Sequence, residues 1–271
     1  MDRRELNVHL LPSLAEPDAL AGRTVVVIDV LRATTTICHA LAAGAAGVRP
    51  CVEIDEARAE AARLCAADVP GSAVLGGERC GLPIEGFDLG NSPTEYVPQS
   101  VGGRTVVFTT TNGTRALLRA RRAEVVLIGA FVNLSATVRE LRGRLRSDLL
   151  CAGTNGVVTL EDALLAGAIV EALTAGPAEF ADMPTDAPSS PSSPLAHPRS
   201  DVVLNDQARL ARDAWRTAAV AGRSLSATLR ECQGGRNLIA EGFDADIDTA
   251  AVVDRFDFVP RWDARSGVVV R

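Results

Sequence analysis

The chain of 271 residues contains no lysine, so all 28 of its basic residues are arginines. A basic side chain that neutralises an anion here must therefore be a guanidinium, whose planar fork suits oxyanions. The formal net charge is −6. Proteins whose main partner is nucleic acid usually carry a basic balance or a basic stripe, and this chain has neither. The composition therefore disfavours nucleic acid as a partner.

Aromatic residues make up only 4% of the chain, whereas hydrophobic residues make up 47%. The core must therefore be built from Ala, Val, Leu and Ile, which is typical of parallel sheets covered by alanine-rich helices. No apolar run approaches the roughly 20 residues of a membrane-spanning helix, and residues 1–12 lack the pattern of a signal peptide. The sequence thus predicts a cytoplasmic protein with no membrane partner.

Several common site motifs are also missing. The six cysteines form no CxxC pair, which disfavours a zinc ribbon. The histidines His9, His39 and His197 share no metal-ligand spacing, and we assign none of them to catalysis. Neither GxxxxGK[ST] nor a GxGxxG after a strand occurs, so nucleotide binding of these two kinds is disfavoured.

Short β-branched runs alternate with alanine- and leucine-rich segments along most of the chain. Residues 24–30 (TVVVIDV) have the length of a buried strand, and residues 32–46 have the composition of a following helix. Repetition of this unit indicates a mostly parallel sheet with helices on both faces. Towards the C-terminus the pattern predicts a helix over 202–221 and a closing strand over 257–262. We therefore expect an α/β fold with three layers, α/β/α, around a largely parallel sheet.

Residues 176–200 have a different composition, rich in Pro and Ser and poor in apolar residues. Such a segment cannot bury enough apolar surface to order itself, so we predict a flexible surface insertion. We expect the chain, residues 1–271, to form a single α/β domain around it. The sequence leaves open whether this domain has two lobes and whether it forms a homo-oligomer.

Three predicted strand-to-helix junctions combine hydroxyl, amide and glycine residues. In parallel sheets ligands bind beyond the carboxyl ends of the strands, and the N–H groups of a helix N-terminus favour an anion. The junctions therefore predict a phosphate cradle, although the same residue types also cap helices and form turns. The candidate substrate-binding residues at the junctions are Thr34, Thr35, Asn112, Gly113, Thr114, Thr154, Asn155 and Gly156.

Carboxylates near these junctions are the candidate metal ligands. Asp29 ends the first predicted strand, and Glu78 and Asp88 lie in a glycine-rich stretch over 76–93. Hard oxygen ligands suit Mg²⁺, which holds phosphates with only one or two protein carboxylates. We therefore expect Asp29, with help from Glu78 or Asp88, to bind Mg²⁺, with an aspartyl-phosphate nucleophile as the alternative role of Asp29. We expect Asp162 to cap a helix, because it completes a Thr-x-x-Asp pattern.

Four longer segments occur in a fixed order. They are VVVIDVLRATTTI at 25–37, LGGERCGLPIEGFDLGNSP at 75–93, VVFTTTNGTRAL at 106–117 and CAGTNGVVTLEDALLAGAIV at 151–170. Together they resemble the 2-phosphosulfolactate phosphatase (ComB) family, from about residue 24 to the end except in the insertion. The resemblance implies a ComB-like fold and a Mg²⁺-dependent phosphoric monoester hydrolase. Its reaction would convert 2-phospho-3-sulfolactate to 3-sulfolactate and phosphate in coenzyme M biosynthesis.

A small acid that is both phosphorylated and sulfonated brings several negative charges to the site. Because the chain has no lysine, we expect arginines to bind them, with Arg32 and Arg115 acting in catalysis beside Asp29. We expect Arg79 and Arg236 to bind the carboxylate and the sulfonate. The chain has Gln233 where the family pattern has histidine. This departure concerns the identity of the substrate more than the type of reaction. Two alternatives therefore stay open, namely a phosphatase for another small phosphorylated acid and a non-catalytic protein that binds phosphate or another anion.

Overall fold

The computed structural model describes residues 3–16, 18–67, 71–175 and 202–271, so the predicted insertion at 176–200 lies outside the described residues. The strands are β1 (Arg4–His9), β2 (Thr24–Ile28), β3 (Gly47–Pro50), β4 (Ala73–Arg79), β5 (Leu82–Pro83), β6 (Thr105–Thr109), β7 (Val125–Gly129), β8 (Arg146–Cys151), β9 (Val202–Leu204), β10 (Arg261–Asp263) and β11 (Val268–Val270). The α-helices are α1 (Ala33–Ala42), α2 (Ile54–Ala67), α3 (Pro98–Val101), α4 (Gly113–Arg119), α5 (Leu134–Leu141), α6 (Leu160–Thr174), α7 (Asp206–Val220), α8 (Leu225–Glu231), α9 (Gln233–Ala240) and α10 (Asp244–Ala250).

The strands form one sheet in the order β5-β4-β6-β3-β11-β10-β7-β2-β8-β1-β9. Two groups of neighbours are parallel, β4-β6-β3 on one side and β7-β2-β8-β1-β9 on the other. The antiparallel hairpin β10–β11 lies between the groups and pairs antiparallel with β7 and β3. Because three antiparallel pairings separate β7 from β3, the two parallel groups run in opposite directions. The C-terminal hairpin thus joins two half-sheets into one.

The central strands are buried on both faces. In β2, Val25 and Val27 pack into a core that also contains residues of β3, β6, α1 and α4, whereas Val26 and Ile28 pack against α5, α6 and α7. A run of β-branched residues suits such a strand, because its stiff side chains pack well on a pleated surface. Helix α2 covers the other face of the β3-β6-β4 half. The predicted α/β fold, with a largely parallel sheet between helical layers, is confirmed.

The region after residue 201 begins differently from the sequence prediction. Residues 202–204 form the edge strand β9, which pairs with β1, so the predicted helix over 202–221 is wrong in its first residues. Helix α7 is capped by Asn205, whose side-chain oxygen accepts from the N–H of Ala208 at 2.9 Å. The same side chain bonds both backbone groups of Val8. In the parts of the chain that are described, no helix is long and apolar enough to cross a membrane.

Candidate active site

A cavity of about 270 Å³ opens where the loops of both half-sheets meet. Its walls come from the residues after β2, β6 and β8, from the turn between β4 and β5, and from α9. The predicted site residues that line it are Asp29, Arg32, Glu78, Asn112, Thr154 and Asn155. The lining also contains residues that are not predicted from the sequence, among them Asn91, Gly234, Asn237 and Glu241.

Asp29 lies directly after β2 and is only 8% exposed. Its Oδ1 atom accepts a hydrogen bond from the N–H of Ala33 at the start of α1, at 3.3 Å. Burial, together with the negative charge of Glu78, raises the pKa of Asp29 to about 7. The ionised carboxylate is therefore unfavourable in this position unless a cation neutralises it.

Glu78 ties the β4–β5 turn to the loop after β6. Its Oε1 atom accepts from the N–H of Thr111 at 2.6 Å, and its Oε2 atom accepts from the Thr111 hydroxyl at 3.0 Å and from the N–H of Gly81 at 2.6 Å. The turn comes this close because Gly77, at φ +131°, lies against the Thr109 carbonyl, where a Cβ would overlap it. The Glu78 carboxylate is thus held at the cavity wall by donors from two loops.

Two further carboxylates stand at the start of α6. Asp162 accepts from the N–H of Val30 at 2.9 Å and from the N–H of Gly153 at 3.0 Å, so it joins the ends of β2 and β8. It does not act as the predicted helix cap. Glu161 is 2% exposed and accepts from the N–H of Gly234 at 3.2 Å. Burial raises the pKa of both carboxyl groups.

Two buried oxygen atoms of residues that line the cavity have no hydrogen-bond partner among the described residues. They are Oδ1 of Asn91 and Oε2 of Glu241. Each can only accept, and a buried acceptor without a partner costs about 1–3 kcal/mol. The atoms are oxygens, which are the ligands that Mg²⁺ prefers. A cation in the cavity would remove this cost.

No group of three or more His, Cys, Asp or Glu side chains is pre-assembled as a metal cluster within the described ranges. This arrangement fits Mg²⁺ nevertheless, because Mg²⁺ keeps several waters and needs only one or two protein carboxylates beside a phosphate. The carboxylates Asp29 and Glu78 line the cavity and meet that requirement. Soft or nitrogen-ligated metals are not suited to this oxygen-rich wall.

Arg32 is the only basic residue among the described residues that line the cavity. Its side chain is buried, and the peptide between Leu31 and Arg32 is cis. The lining also contains the carboxylates Asp29, Glu78 and Glu241. The wall of the cavity is therefore net negative before any ligand enters.

The hydroxyl groups of the first two junctions face the backbone. Thr34 and Thr35 each donate to a carbonyl at the end of β2, those of Asp29 and Val30, at 2.8 Å. The Thr114 hydroxyl pairs with the hydroxyl of a neighbouring threonine at 3.1 Å. These three side chains do not line the cavity. They shape the junctions, and the predicted phosphate contacts of their hydroxyl groups find no support in this geometry.

The turn after β8 supplies the other predicted polar contacts. Asn155 and Gly156 both have positive φ, +52° and +76°, which a tight turn after Gly153 requires. The N–H of Asn155 donates to Oδ1 of Asn112 at 3.0 Å. The second and third junctions are therefore joined directly, with Thr154 on the cavity side.

Two of the predicted substrate arginines point elsewhere. The Arg79 guanidinium donates to the carbonyl of Val52 and to the hydroxyl of Thr109, both at 2.9 Å. Arg236 is exposed and donates to the carbonyl of Glu231 and to the side chain of Gln233. Neither lines the cavity. Their predicted contacts with the carboxylate and the sulfonate would require both side chains to leave these partners.

The structure also separates Asp88 and Arg115 from the cavity. Asp88 is exposed, and its carboxylate accepts from the N–H of Leu75 at 2.8 Å, which closes the loop after β5. Arg115 is exposed on the surface of α4. The geometry therefore brings Asp29 and Glu78 together without Asp88, and Arg32 without Arg115.

Residues 9–265 match the family model described as 2-phosphosulpholactate phosphatase. The chain belongs to this family. A protein of Symbiobacterium thermophilum named probable 2-phosphosulfolactate phosphatase is 41% identical over 246 residues, which are 90% of this chain and 92% of the relative. Proteins with the same name from Thermotoga petrophila (38% over 241 residues, 88% of each chain) and Caldanaerobacter subterraneus subsp. tengcongensis (37% over 251 residues, 92% and 91%) are similar as well.

The family predicted from the four segments is confirmed, and with it the class of phosphoric monoester hydrolases. In this family member, the four cavity residues named above that are not predicted from the sequence come from two places. Asn91 belongs to the quoted segment at 75–93, so that segment already contained the signal. Gly234, Asn237 and Glu241 lie on or just after α9, outside all four segments, and only the packing of α9 brings them to the cavity.

The buried carboxyl groups predict how stability depends on pH. Because the pKa of Asp29 is raised to about 7, and those of Glu161 and Asp162 are raised as well, the folded protein retains protons that the unfolded chain has released. These groups should therefore lower the free energy of unfolding of the metal-free protein as the pH rises from about 4 to about 7. Each group contributes a slope of at most about 1.4 kcal/mol per pH unit.

Urea unfolding in EDTA at several pH values measures this dependence. Other groups titrate in the same range, including His39, whose lowered pKa of about 4 acts with the opposite sign. The comparison of wild type with Asp29→Asn removes their contribution. The variant should show a smaller loss of stability between pH 5 and 7 than the wild type. The same pH dependence in both proteins would contradict the raised pKa of Asp29.

Proposed function

We propose that this protein is a Mg²⁺-dependent phosphatase that hydrolyses 2-phospho-3-sulfolactate to 3-sulfolactate and phosphate, a step of coenzyme M biosynthesis. The names of the relatives support the substrate. The observation that carries the metal dependence is the charge of the cavity, where Asp29, Glu78 and Glu241 face a single arginine. A substrate with a phosphate, a carboxylate and a sulfonate would be repelled by this wall unless a cation came with it.

Asp29 and Glu78 would hold the Mg²⁺, and the unpartnered oxygens of Asn91 and Glu241, both lining residues, would be available to its water ligands. When bound, Mg²⁺ would polarise the phosphoryl group and neutralise the charge that develops on it. This role for Asp29 is better supported than that of a nucleophile. Neighbouring carboxylates repel an approaching phosphoryl group, whereas they favour a cation.

The remaining cavity residues bind and orient the substrate. Arg32 offers N–H groups to an anionic group, and its planar fork suits a phosphate, carboxylate or sulfonate. Asn112, Thr154 and Asn155 line the opposite loops with amide and hydroxyl groups that can bond the other oxygens. Because Asp162 joins the ends of β2 and β8, it fixes the distance between Asp29 and the Thr154 loop.

Phosphate release from 2-phospho-3-sulfolactate tests the proposal. EDTA should suppress the release and Mg²⁺ should restore it, because the carboxylates of the cavity then have their cation again. Phospholactate and phosphoglycerate should be hydrolysed more slowly, since both lack the sulfonate. Full activity in EDTA would contradict the metal dependence. Faster hydrolysis of another phosphorylated acid would contradict the substrate, and anion binding without release from any of them would indicate a non-catalytic protein.

The cytoplasm is the compartment we propose. All six cysteines are free, and Cys38, Cys51, Cys151 and Cys232 are buried. Proteins of oxidising compartments usually pair their cysteines, whereas a reducing cytosol keeps them as thiols. The free thiols support the cytoplasmic assignment without specifying the host pathway.

A further inference from the structure

Asp246 is a buried carboxylate on α10, in a part of the chain that lies outside the four segments of the family resemblance. It is 3% exposed. Its Oδ2 atom accepts from Nη1 of Arg32 at 2.8 Å, and its Oδ1 atom accepts from the hydroxyl of Ser92 at 2.6 Å. Because both oxygens have a partner, the orientation of the carboxylate is fixed.

Arg32 is held from three directions. Besides Asp246, its Nη2 atom donates to the carbonyl of Gly81 at 2.9 Å, and its guanidinium lies 4.5 Å from the centre of the Phe243 ring. The three contacts come from α10, from the β4–β5 turn and from the loop before α10. A guanidinium has five N–H groups, and two of them are used by these partners. The other three have no partner among the described residues, and Arg32 lines the cavity, so they are available to a ligand there.

We propose that Asp246 is a positioning residue, which holds the Arg32 guanidinium so that its remaining N–H groups face an anionic group of the substrate. The proposal rests on the proposed function, since it assumes that an anionic substrate occupies the cavity. A flexible arginine would have to be ordered on each binding event, whereas an arginine fixed beforehand avoids that cost. Asp246 also supplies the charge partner without which a buried guanidinium would be costly.

A purely structural ion pair is the competing interpretation. Such a pair would hold α10 on the domain and would leave ligand affinity unchanged in a folded variant. Buried pairs affect stability in either direction, so a melting temperature does not distinguish the two interpretations. The location favours the positioning role. Arg32 lines the cavity, and so does Gly81, whose carbonyl accepts from Arg32.

A double-mutant cycle distinguishes them. It uses the wild type, Arg32→Lys, Asp246→Asn and the double variant, with the affinities of 3-sulfolactate and of inorganic phosphate measured by calorimetry in Mg²⁺. The KM and kcat for 2-phospho-3-sulfolactate are measured in parallel. Each single variant should lose about tenfold in affinity, because lysine lacks the fork and asparagine leaves either Arg32 or Ser92 without its acceptor. The double variant should bind both ligands with about the same affinity as Arg32→Lys alone. Asp246→Asn should raise KM more than it lowers kcat.

The same helix offers a matched control. Asp248 accepts from Arg230 at 2.8 Å on the exposed side of α10, so Asp248→Asn removes an arginine–aspartate contact away from the cavity. Its affinities should stay within about twofold of the wild type. If Asp246→Asn fails to fold, Ser92→Ala replaces it in the cycle, because this variant removes one of the two contacts of Asp246 and keeps both charges.

Independent losses that multiply in the double variant, or wild-type affinity in Asp246→Asn, would overturn the role of Asp246. A wild-type protein that binds the two probes but releases no phosphate from 2-phospho-3-sulfolactate would count against the proposed function alone. Binding of neither probe by the wild type would overturn both.

Discussion

Replacement of Asp29 by asparagine should lower kcat for 2-phospho-3-sulfolactate by at least about 100-fold while the fold stays intact. Asparagine has the same shape and can still accept from the N–H of Ala33, which Asp29 does at 3.3 Å. It removes the negative charge that the cation needs, and the loss of one electrostatic contact at a reacting group can cost a factor of this size. Steady-state kinetics over a range of Mg²⁺ concentrations measures the effect.

Asp88→Asn is the informative comparison, because the sequence predicts both residues as ligands and the structure brings only Asp29 to the cavity. Asp88 is exposed and its carboxylate accepts from the backbone N–H of Leu75 in β4, so its variant should keep turnover within a few-fold. Asp29→Asn should also be the more stable protein at pH 8, since a neutral amide replaces a buried carboxylate. Near-normal turnover in Asp29→Asn would reduce Asp29 to a helix cap.

The sequence predicts best the strands that are buried on both faces, because their composition reflects that burial. Residues 24–28 (TVVVI) and 105–109 (TVVFT) consist of β-branched and aromatic residues throughout, and both faces of these strands are covered. Strand β1 (RELNVH) carries no such run. Its polar side chains are satisfied across the sheet, as when Asn7 and His9 bond Asp148 in β8. Because Asp148 is more than a hundred residues away in the chain, the sequence around β1 contains no local pattern that predicts this pairing.

The hairpin β10–β11 shows a second kind of limit. The sequence predicts a strand over 257–262, and the structure starts β10 only at Arg261, directly after Pro260. The position of the hairpin between β7 and β3 depends on two short pairings, one with each half-sheet. Nothing local in these residues predicts that they separate the half-sheets or reverse their relative direction.

At the site, the sequence predicts positions better than it predicts where side chains point. Asp29, Glu78, Asn112 and Asn155 lie at or just after the carboxyl ends of strands in both half-sheets, and the folded loops bring them to one cavity although the half-sheets run in opposite directions. The direction of a long side chain depends on the partner that tertiary packing offers. Arg32 bonds Asp246 and lines the cavity, whereas Arg79 bonds the Val52 carbonyl and does not line it.

Replacement of Gly113 by alanine should lower kcat about 100-fold, although alanine is the better helix former. A Cβ at this first residue of α4 would lie 2.7 Å from Oδ2 of Asp29 and 2.6 Å from Cβ of Ala33. Both distances are too short, so either the Asp29 carboxylate or the contact between α4 and α1 must shift. A displacement of about 1 Å at a reacting group can cost about 100-fold. Alanine in a helix gains about 1 kcal/mol over glycine, which offsets part of the clash, so the melting temperature should change little.

Gly143→Ala is the matched control, because no contacting atom of the described residues lies within 4 Å of a Cβ at that position. It should have wild-type kinetics. The double variant Gly113→Ala/Asp29→Asn tests whether the added methyl group acts through the carboxylate. If it does, the double variant should be about as active as Asp29→Asn alone, since the carboxylate that the methyl group displaces is already gone. A further loss in the double variant would show that the methyl group damages the site through α1 or α4, and that the space beside Gly113 is not reserved for Asp29.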